Sequence, residues 1–287
     1  MEISAAQVKL LREKTGAGPM ECKKALQECE GDLDKAEKAL KEKGLAAVEQ
    51  RAGRATNEGK IFAQTSIKNG SSQGVLLELS CETDFVARNP EFIALGDAIA
   101  TLILERGYTE PNDELNGMVL DLATKIRENM SLKRFQVIHG GEREILSKYI
   151  HGDGAIGVLV KLAADSPEDL TKDEVKTLAF DLALHTAAFN PLALDRDKID
   201  PAFIAEQKEI YKKQIETDEK LAGKSETVLQ NALNGKINKY LSEICFLEQG
   251  FIKEEKNSVA KTLENLSKQV GTTLRITDYG YFKVGGS

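Results

Sequence analysis

The sequence predicts an α+β protein with three parts: a small helical module, a core of two related α+β subdomains with antiparallel sheets, and an inserted antiparallel coiled-coil hairpin. Three observations support this prediction. Helical periodicity fills residues 1–44, a strand–turn–strand–helix order then occurs twice, and two narrow apolar stripes follow within residues 201–248. The chain has 287 residues, enough to bury a sizeable core.

The first 44 residues are predicted to form three short helices. Ser4 is a candidate cap for the first helix, and Pro19 suits the first turn of the second, where a missing N–H is tolerated. Asp32 is a candidate cap for the third helix, which is expected to end at Gly44. Such a small module is expected to bind a partner, because it is too small to enclose an active site.

The period changes to that of strands from Gly59 onward. Residues 74–80 (GVLLELS) match residues 157–163 (GVLVKLA) in pattern, which predicts two related subdomains. Strands are predicted at 60–67, 74–81, 132–139, 145–151, 155–163 and near 273–284, and helices at 90–105, 114–129, 172–188 and 258–270. The first hairpin turn is expected within residues 68–73.

The predicted division of the chain follows from these patterns. Residues 1–44 form the helical module, 45–58 a linker, 59–140 the first subdomain, 141–200 the first part of the second, 201–248 the hairpin, and 249–287 the completion of the second subdomain with the tail. Within the hairpin, residues 222–225 are the expected connection, with Ser225 as the cap of the second helix. The alternative is that both helices of this segment belong to an ordinary core.

Composition argues against several function classes. A net charge of −7 opposes a general nucleic-acid binder, which shows a basic face, and only 6% aromatic residues leave little for base stacking. The N-terminal residues lack a basic region followed by an apolar core, and the apolar stretches are too short to cross a bilayer. A cytoplasmic protein without direct contact to nucleic acid or membrane is therefore expected.

Catalytic and metal-binding motifs are absent from the sequence. The four cysteines are scattered without paired spacing, as in a reducing compartment, and the three histidines lack ligand spacing from a cysteine, so neither a metal nor a cofactor is expected. There is no phosphate-binding loop, nucleophile elbow or zinc-protease helix. A His151–Asp153 dyad at a strand end is conceivable, but no nucleophile is identifiable beside it.

The segment CETDFVA, residues 81–87, lies between a predicted central strand and the helix at Pro90. A loop in this position can display a side chain at the rim of a rigid sheet. One interpretation is functional: Phe85 forms an apolar wedge beside the carboxylate of Asp84. The other is structural: Thr83 or Asp84 caps a helical turn and Phe85 packs inward. Cys81 is expected to be a buried small hydrophobic residue in either case.

Four segments together resemble bacterial translation elongation factor Ts. They are residues 11–26 (LREKTGAGPMECKKAL), 83–86 (TDFV), 151–160 (HGDGAIGVLV) and 185–191 (HTAAFNP), and the resemblance extends in order over nearly the whole chain. It implies a guanine-nucleotide exchange factor that binds elongation factor Tu in its GDP-bound and nucleotide-free forms, without covalent chemistry. It also implies an N-terminal module of the ubiquitin-associated type and a coiled-coil hairpin.

The resemblance also implies roles for individual residues. Thr83, Asp84, Phe85 and Val86 match the motif that disturbs the partner's bound magnesium ion. The other partner-binding residues implied by the resemblance are Lys23, Ile126 and His151.

The chain departs from the family pattern in three places. Residues 125–129 read KIREN, whereas the family often has KIGEN, so Arg127 replaces a glycine there. The first hairpin is extended by residues 70–73, and the sequence ends before the extra C-terminal helix of some members. Two other function classes compete with exchange: an adaptor that binds without accelerating nucleotide release, and an enzyme centred on His151.

Overall fold

A computed structural model of the protein describes residues 3–218, 221 and 223–286. Its helices are α1 (Ala5–Thr15), α2 (Pro19–Glu28), α3 (Leu33–Arg51), α4 (Asp84–Ala87), α5 (Pro90–Arg106), α6 (Asp113–Ile126), α7 (Asp173–Phe189), α8 (Pro201–Glu216), α9 (Glu226–Ile244) and α10 (Val259–Val270). Its strands are β1 (Glu58–Lys68), β2 (Ser71–Cys81), β3 (Met130–His139), β4 (Glu144–His151), β5 (Ile156–Ala163), β6 (Gly250–Phe251), β7 (Glu254–Ser258) and β8 (Arg275–Lys283). These strands pair antiparallel, and the predicted α+β class is confirmed.

The first three helices begin where the capping residues predict. The Ser4 hydroxyl accepts a hydrogen bond from the backbone N–H of Gln7 (3.2 Å), and the Gln7 side chain accepts one from the Ser4 N–H (3.0 Å). Pro19 occupies the first turn of α2, and the Asp32 carboxylate accepts two backbone N–H groups at the start of α3 (3.1 Å each). The buried residues that join the three helices are Leu11, Ala17, Cys22, Ala25, Leu26 and Ala36.

The predicted end of the third helix at Gly44 was wrong. Helix α3 continues through Gly44 to Arg51 and takes in part of the segment interpreted as a linker. A Cβ atom at Gly44 would overlap the side chain of Thr124 in α6. The glycine therefore permits α3 to pack closely on α6, and this packing outweighs the cost of about 1 kcal/mol that glycine carries relative to alanine inside a helix.

The first hairpin turn is narrower than predicted. Asn69 and Gly70 alone form it, with φ angles of 53° and 80°, and residues 71–73 belong to β2. Two consecutive residues with positive φ make the turn type whose twist matches that of the flanking strands, and Asn-Gly is the favoured pair. Of the four residues 70–73 expected to extend the hairpin, Gly70 belongs to the turn and the other three to strand β2.

The two three-stranded sheets have the same order of pairing. Strand β2 lies between β1 and β3, and β5 lies between β4 and β8, so the predicted return of the C-terminal strand to the second sheet is confirmed. Each central strand also has an irregularity at the same place in the repeat, between Glu78 and Leu79 in β2 and between Lys161 and Leu162 in β5. The repeated sequence pattern thus corresponds to a repeated topology.

The two sheets pack face to face, with helices on their outer faces. Alternate residues of the central strands face these helices: Val75, Leu77, Leu79, Val158, Val160 and Leu162. The apolar residues buried between the sheets are Ile61, Ala63, Leu76, Ile138, Leu146, Leu159 and Phe282. Because both faces of β2 and β5 are covered, residues 75–79 and 158–162 each contain four apolar residues and a single charge.

Two glycines at equivalent positions permit the close approach of the sheets. A Cβ atom on Gly74 would meet the Leu159 methyl groups at 3.1 Å. A Cβ atom on Gly157 would overlap Ile61 and would approach Ile150 to 3.1 Å. The central strand of each sheet therefore offers bare backbone to a side chain of the other.

Helices α8 and α9 pack mainly against each other. The rings of Phe203 and Tyr211 in α8 both contact the ring of Tyr240 in α9, with centroid distances of 6.3 and 6.0 Å. The buried residues of the two helices are Ile215, Ile237 and Leu241. Ser225 is the N-cap residue of α9, as predicted, whereas Ala222 in the expected connection lies outside the described residues.

The close contact at Gly157 predicts that Gly157→Ala lowers the free energy of unfolding by about 1–3 kcal/mol, because the added methyl group overpacks the space between the sheets. The matched control is Gly117→Ala in α6, where a Cβ atom would meet nothing within 4 Å. That variant is expected to gain about 0.5–1 kcal/mol from helix propensity. Urea unfolding of both variants measures the difference, and equal effects would contradict the proposed close packing.

Candidate functional site

Residues 83–86 form the start of a single helical turn that follows strand β2. Thr83 is the N-cap residue of α4, and its hydroxyl accepts a hydrogen bond from the Val86 N–H (3.3 Å). Val86 and Ala87 are buried, whereas the side chain of Phe85 is 81% exposed. The cap expected by the structural interpretation is present, but the inward packing of Phe85 is not.

Glu128, in the connection from α6 to β3, holds this turn. Its carboxylate accepts hydrogen bonds from the Thr83 N–H (3.1 Å) and from the Thr83 hydroxyl (2.8 Å). A third hydrogen bond has its donor on the other segment: the Asn129 N–H donates to the Glu82 carboxylate (2.6 Å) and lowers the pKa of Glu82. Two adjacent residues on each side are thus joined, which fixes the turn against the first sheet. No local feature of the sequence distinguishes Glu128 from its neighbours as the residue that holds the turn.

The carboxylate of Asp84 forms an ion pair with Arg88 one turn later (3.2 Å). Both side chains are largely exposed, so the pair contributes little to stability, but it orients the carboxylate beside the Phe85 ring. The pKa of Asp153 is held below its usual range, first by a hydrogen bond from Lys60 and also by the charge of Arg88. Arg88 therefore lies within electrostatic range of the turn that follows β4.

That second turn is attached to the first sheet. The buried Lys60 of β1 donates to the backbone carbonyl of Asp153 and pairs with its carboxylate, both at 2.7 Å. The Ile61 N–H donates to the carbonyl of Gly154 (2.8 Å). These bonds place the turn between β4 and β5 on the β1 side of the molecule, next to α4.

His151, at the end of β4, is exposed. Its Nδ1 atom lies 3.2 Å from the hydroxyl of Tyr149, and the Tyr149 ring makes an edge contact with Phe180 of α7 (centroids 5.9 Å apart). Asp153 pairs with Lys60, not with His151. The His–Asp dyad of the enzyme alternative is therefore not formed.

The other two predicted partner-binding residues lie on different helices, Ile126 on α6 and Lys23 on α2. Ile126 is the last residue of α6 and is half-buried against the apolar core of the first subdomain. Lys23 is exposed on α2, the helix whose Glu21 forms an ion pair with Arg127.

Arg127 ends α6 in the left-handed conformation, with φ of 68°. The helix predicted to reach residue 129 therefore stops at Ile126, and the Arg127 N–H donates to the carbonyl of Ala123 as its C-cap. A non-glycine residue in this conformation carries a steric cost. Arg127 thus has the backbone conformation that favours glycine, the residue that the resemblance leads one to expect at this position.

His185 in the fourth matching segment is a core residue. It is fully buried; its Nε2 atom bonds to the Gln249 amide oxygen (3.0 Å), and its Nδ1 atom accepts the Ile252 N–H (3.2 Å). Its ring also stacks on Phe246, with centroids 5.5 Å apart. Burial lowers the pKa of His185, because neither contact compensates for the lost hydration of the cation.

Cys81 is a buried residue of the first core, as expected. Burial together with the charge of Glu128 raises the pKa of its thiol to about 12. In the part of the chain that the structure describes, no group of three or more His, Cys, Asp or Glu side chains is arranged to hold a metal ion. No described helix is both long and apolar enough to span a membrane.

Fold and site together define an α+β protein that presents an exposed aromatic ring and a carboxylate on a turn held against its first sheet, a position in which functional residues are common. The family model described as Elongation factor TS matches residues 82–286. Elongation factor Ts of Treponema denticola is 48% identical over 285 residues, covering 99% of each chain. The protein of that name from Treponema pallidum strain Nichols is 44% identical over 292 residues (99% of each chain). That of Clostridium acetobutylicum is 40% identical over 294 residues (99% of this chain, 92% of the relative).

The chain belongs to the elongation factor Ts family. The family resemblance predicted from the four sequence segments is thereby confirmed, and with it a place among the elongation factors of protein biosynthesis.

The two hydrogen bonds of the Thr83 hydroxyl predict that Thr83→Val loosens the turn without unfolding the core. Loss of the cap costs about 1 kcal/mol, so the Val86 amide should exchange with deuterium roughly fivefold faster. Thr101→Val, an exposed position on α5, is the control and should leave this amide unchanged. Unaltered exchange at Val86 in the Thr83 variant would show that other contacts fix the turn.

The lowered pKa of His185 predicts a loss of stability at acidic pH. The unfolded chain binds this proton near the ordinary pKa of about 6.5 and the native protein only at lower pH, so the free energy of unfolding falls as pH drops through that interval. The contribution is complete above the interval and amounts to at most about 1.4 kcal/mol per pH unit. Urea unfolding from pH 7.5 to 5 should show a smaller fall for His185→Gln than for the unmodified chain. The exposed-site control His139→Gln should retain the full fall.

Proposed function

We propose that the chain is a guanine-nucleotide exchange factor for elongation factor Tu in cytoplasmic translation elongation. The observation that carries the proposal is the side chain of Phe85, 81% exposed beside Asp84 on a turn held by Thr83 and Glu128. Family membership supports the choice of partner. The proposed contact surface comprises Thr83, Asp84, Phe85, Val86, Lys23, Ile126 and His151.

The proposed mechanism acts on the partner's nucleotide site. Backbone amides around the phosphates and a magnesium ion hold GDP in such sites. Phe85 inserts beside a partner helix and shifts the loops that this helix supports. Asp84 disturbs the ligands or waters of the magnesium ion, whose octahedral geometry tolerates little distortion. Both changes weaken GDP binding without forming or breaking a covalent bond, and no cofactor takes part.

Exchange of this kind is a coupling between two binding equilibria. If this protein weakens GDP binding by some factor, GDP weakens the binding of this protein by the same factor. Couplings of about 1–3 kcal/mol correspond to roughly 5–150-fold, and an efficient exchange factor lies at or above that range. The protein therefore stabilises the nucleotide-free partner and is displaced after GTP binds.

The remaining parts of the molecule extend the proposed interface. Helices α1–α3, assigned as a module of the ubiquitin-associated type, present Lys23 to the partner's nucleotide-binding domain. Helices α8 and α9 are assigned as an antiparallel coiled coil, in keeping with their mutual packing and few buried residues. A chain with net charge −7 fits a protein partner better than RNA.

Release of labelled GDP from purified elongation factor Tu tests the proposal directly. Substoichiometric amounts of this protein should accelerate release over many turnovers. Binding without acceleration would identify an adaptor, and absence of binding would exclude the partner.

The exposure of Phe85 predicts that Phe85→Ala slows GDP release by roughly tenfold or more, since truncating an aromatic side chain at the centre of an interface costs about 2 kcal/mol. Asp84→Ala is also expected to slow release. Both variants should unfold at nearly the urea concentration of the unmodified chain, because neither side chain is buried. Ile67→Ala is the matched control, since this apolar side chain is 80% exposed but lies at the far end of β1. Full activity of the Phe85 variant, or loss of its core structure, would contradict the assigned role.

A further inference from the structure

Polar contacts dominate the junction between the first three helices and the first subdomain. The apolar cluster of α1–α3 is separate from that of the subdomain, and only the far end of α3, at Val48, packs on the latter among the described residues. A cavity of about 380 Å³ lies between the two clusters, lined by residues such as Lys14, Arg51 and Lys125. Among the described residues, two ion pairs cross this junction, Glu21–Arg127 and Lys41–Asp121 (3.2 Å for the second). Gly16 and Gly44 permit close contact with Lys125 and Thr124 beside them. Packing of α3 on α6 therefore joins the module to the subdomain, and ion pairs supply the contacts at the α2 side of the junction.

Arg127, which precedes Glu128 in the chain, makes one of these contacts across the junction. Its guanidinium pairs with Glu21 and is the main cause of the lowered pKa of that carboxylate. Glu21 lies two residues from Lys23 on the same helix. Arg127 holds this pair from a backbone with φ of 68°, a conformation that glycine would adopt with less strain.

The next residue, Glu128, holds the other part of the candidate site. Its carboxylate accepts both hydrogen bonds from Thr83, which begins the turn that carries Asp84 and Phe85. Consecutive residues of one connection therefore reach in two directions: Arg127 to α2, and Glu128 to α4. The backbone at Arg127 sets the angle between the two side chains.

We propose that Arg127 is a positioning residue that fixes the helical module relative to the Phe85 turn, so that Lys23 and Phe85 meet elongation factor Tu in one defined arrangement. The proposal rests on the proposed function for its kinetic consequence, but not for its structural one. Glu128 fixes the turn itself, and the Arg127–Glu21 ion pair fixes the direction of α2. Loss of the ion pair therefore weakens partner binding and leaves the exchange step within the complex intact.

A distance measurement tests the structural part without any partner. Spin labels are placed at Lys38→Cys in α3 and Glu105→Cys in α5, two exposed positions, with the half-buried Cys29 replaced by alanine. Arg127→Gln and Glu21→Gln should each broaden the distance distribution, and the charge exchange Glu21→Arg with Arg127→Glu should narrow it again. Arg127→Gly removes backbone strain together with the ion pair, so it should broaden the distribution without lowering the stability of the core. An unchanged distribution in Arg127→Gln would overturn the proposal.

GDP release from elongation factor Tu tests the kinetic part. Arg127→Gln should raise the half-saturating concentration about two- to fivefold, the range expected for a half-exposed ion pair, with the maximal rate unchanged. Glu128→Gln should instead lower the maximal rate. Glu28→Gln is the matched control on α2, because Glu28 pairs only with the neighbouring Lys24 among the described contacts. A lower maximal rate in Arg127→Gln would overturn the proposed division of roles. If the unmodified chain fails to accelerate release, the proposed function fails, whereas the distance measurement still decides the role of Arg127.

Discussion

The close approach of the two sheets is the constraint on which the rest of the molecule depends. Gly74 and Gly157 leave backbone where the opposite sheet places Leu159 and Ile61. This contact gives β2 and β5 two buried faces and sets the positions of the loops at their ends. As a result the turn after β4 lies against β1, where Lys60 holds Asp153. The two turns of the candidate site come from different subdomains and become neighbours through this packing.

The same interface contains a charge at equivalent positions of the two repeats. Glu78 is fully buried and bonds to Arg134 (2.8 Å) and to the Gly285 N–H (2.8 Å), whereas Lys161 bonds to the carbonyl of His139 (3.1 Å). A buried carboxylate is tolerated only with such partners, because its lost hydration costs several kcal/mol. Both charges sit beside an irregularity of their strand, and Glu78 thereby ties the C-terminal residues to the first sheet. The duplication of the core extends to this polar detail.

Features with a local cause were predictable from the sequence, and features with a distant cause were not. The caps at Ser4 and Asp32 depend on groups within three residues, so the local sequence is enough to predict them. Gly44 has the same local signal whether it ends a helix or permits packing, and only the approach of Thr124 distinguishes the two. The direction of Phe85 likewise depends on Glu128, which is 45 residues from Thr83 in the chain. Similarly, the local sequence around Lys60 predicts only a strand residue, because its partner Asp153 is distant in the chain.

An exposed phenylalanine is unfavourable for a chain that folds alone, because burying such a ring is worth about 1.5–3 kcal/mol. The turn could relieve this cost only by rotating, and rotation would expose Val86 and Ala87 and break both bonds from Thr83 to Glu128. The ring therefore stays in solvent because turning it inward would cost this burial and these hydrogen bonds. A ring held in this way loses little conformational freedom when a partner covers it, so more of its burial energy remains available for binding. Under the proposed exchange function, rigidity of the turn would matter as much as the aromatic residue itself, because a ring held in place loses less freedom on binding.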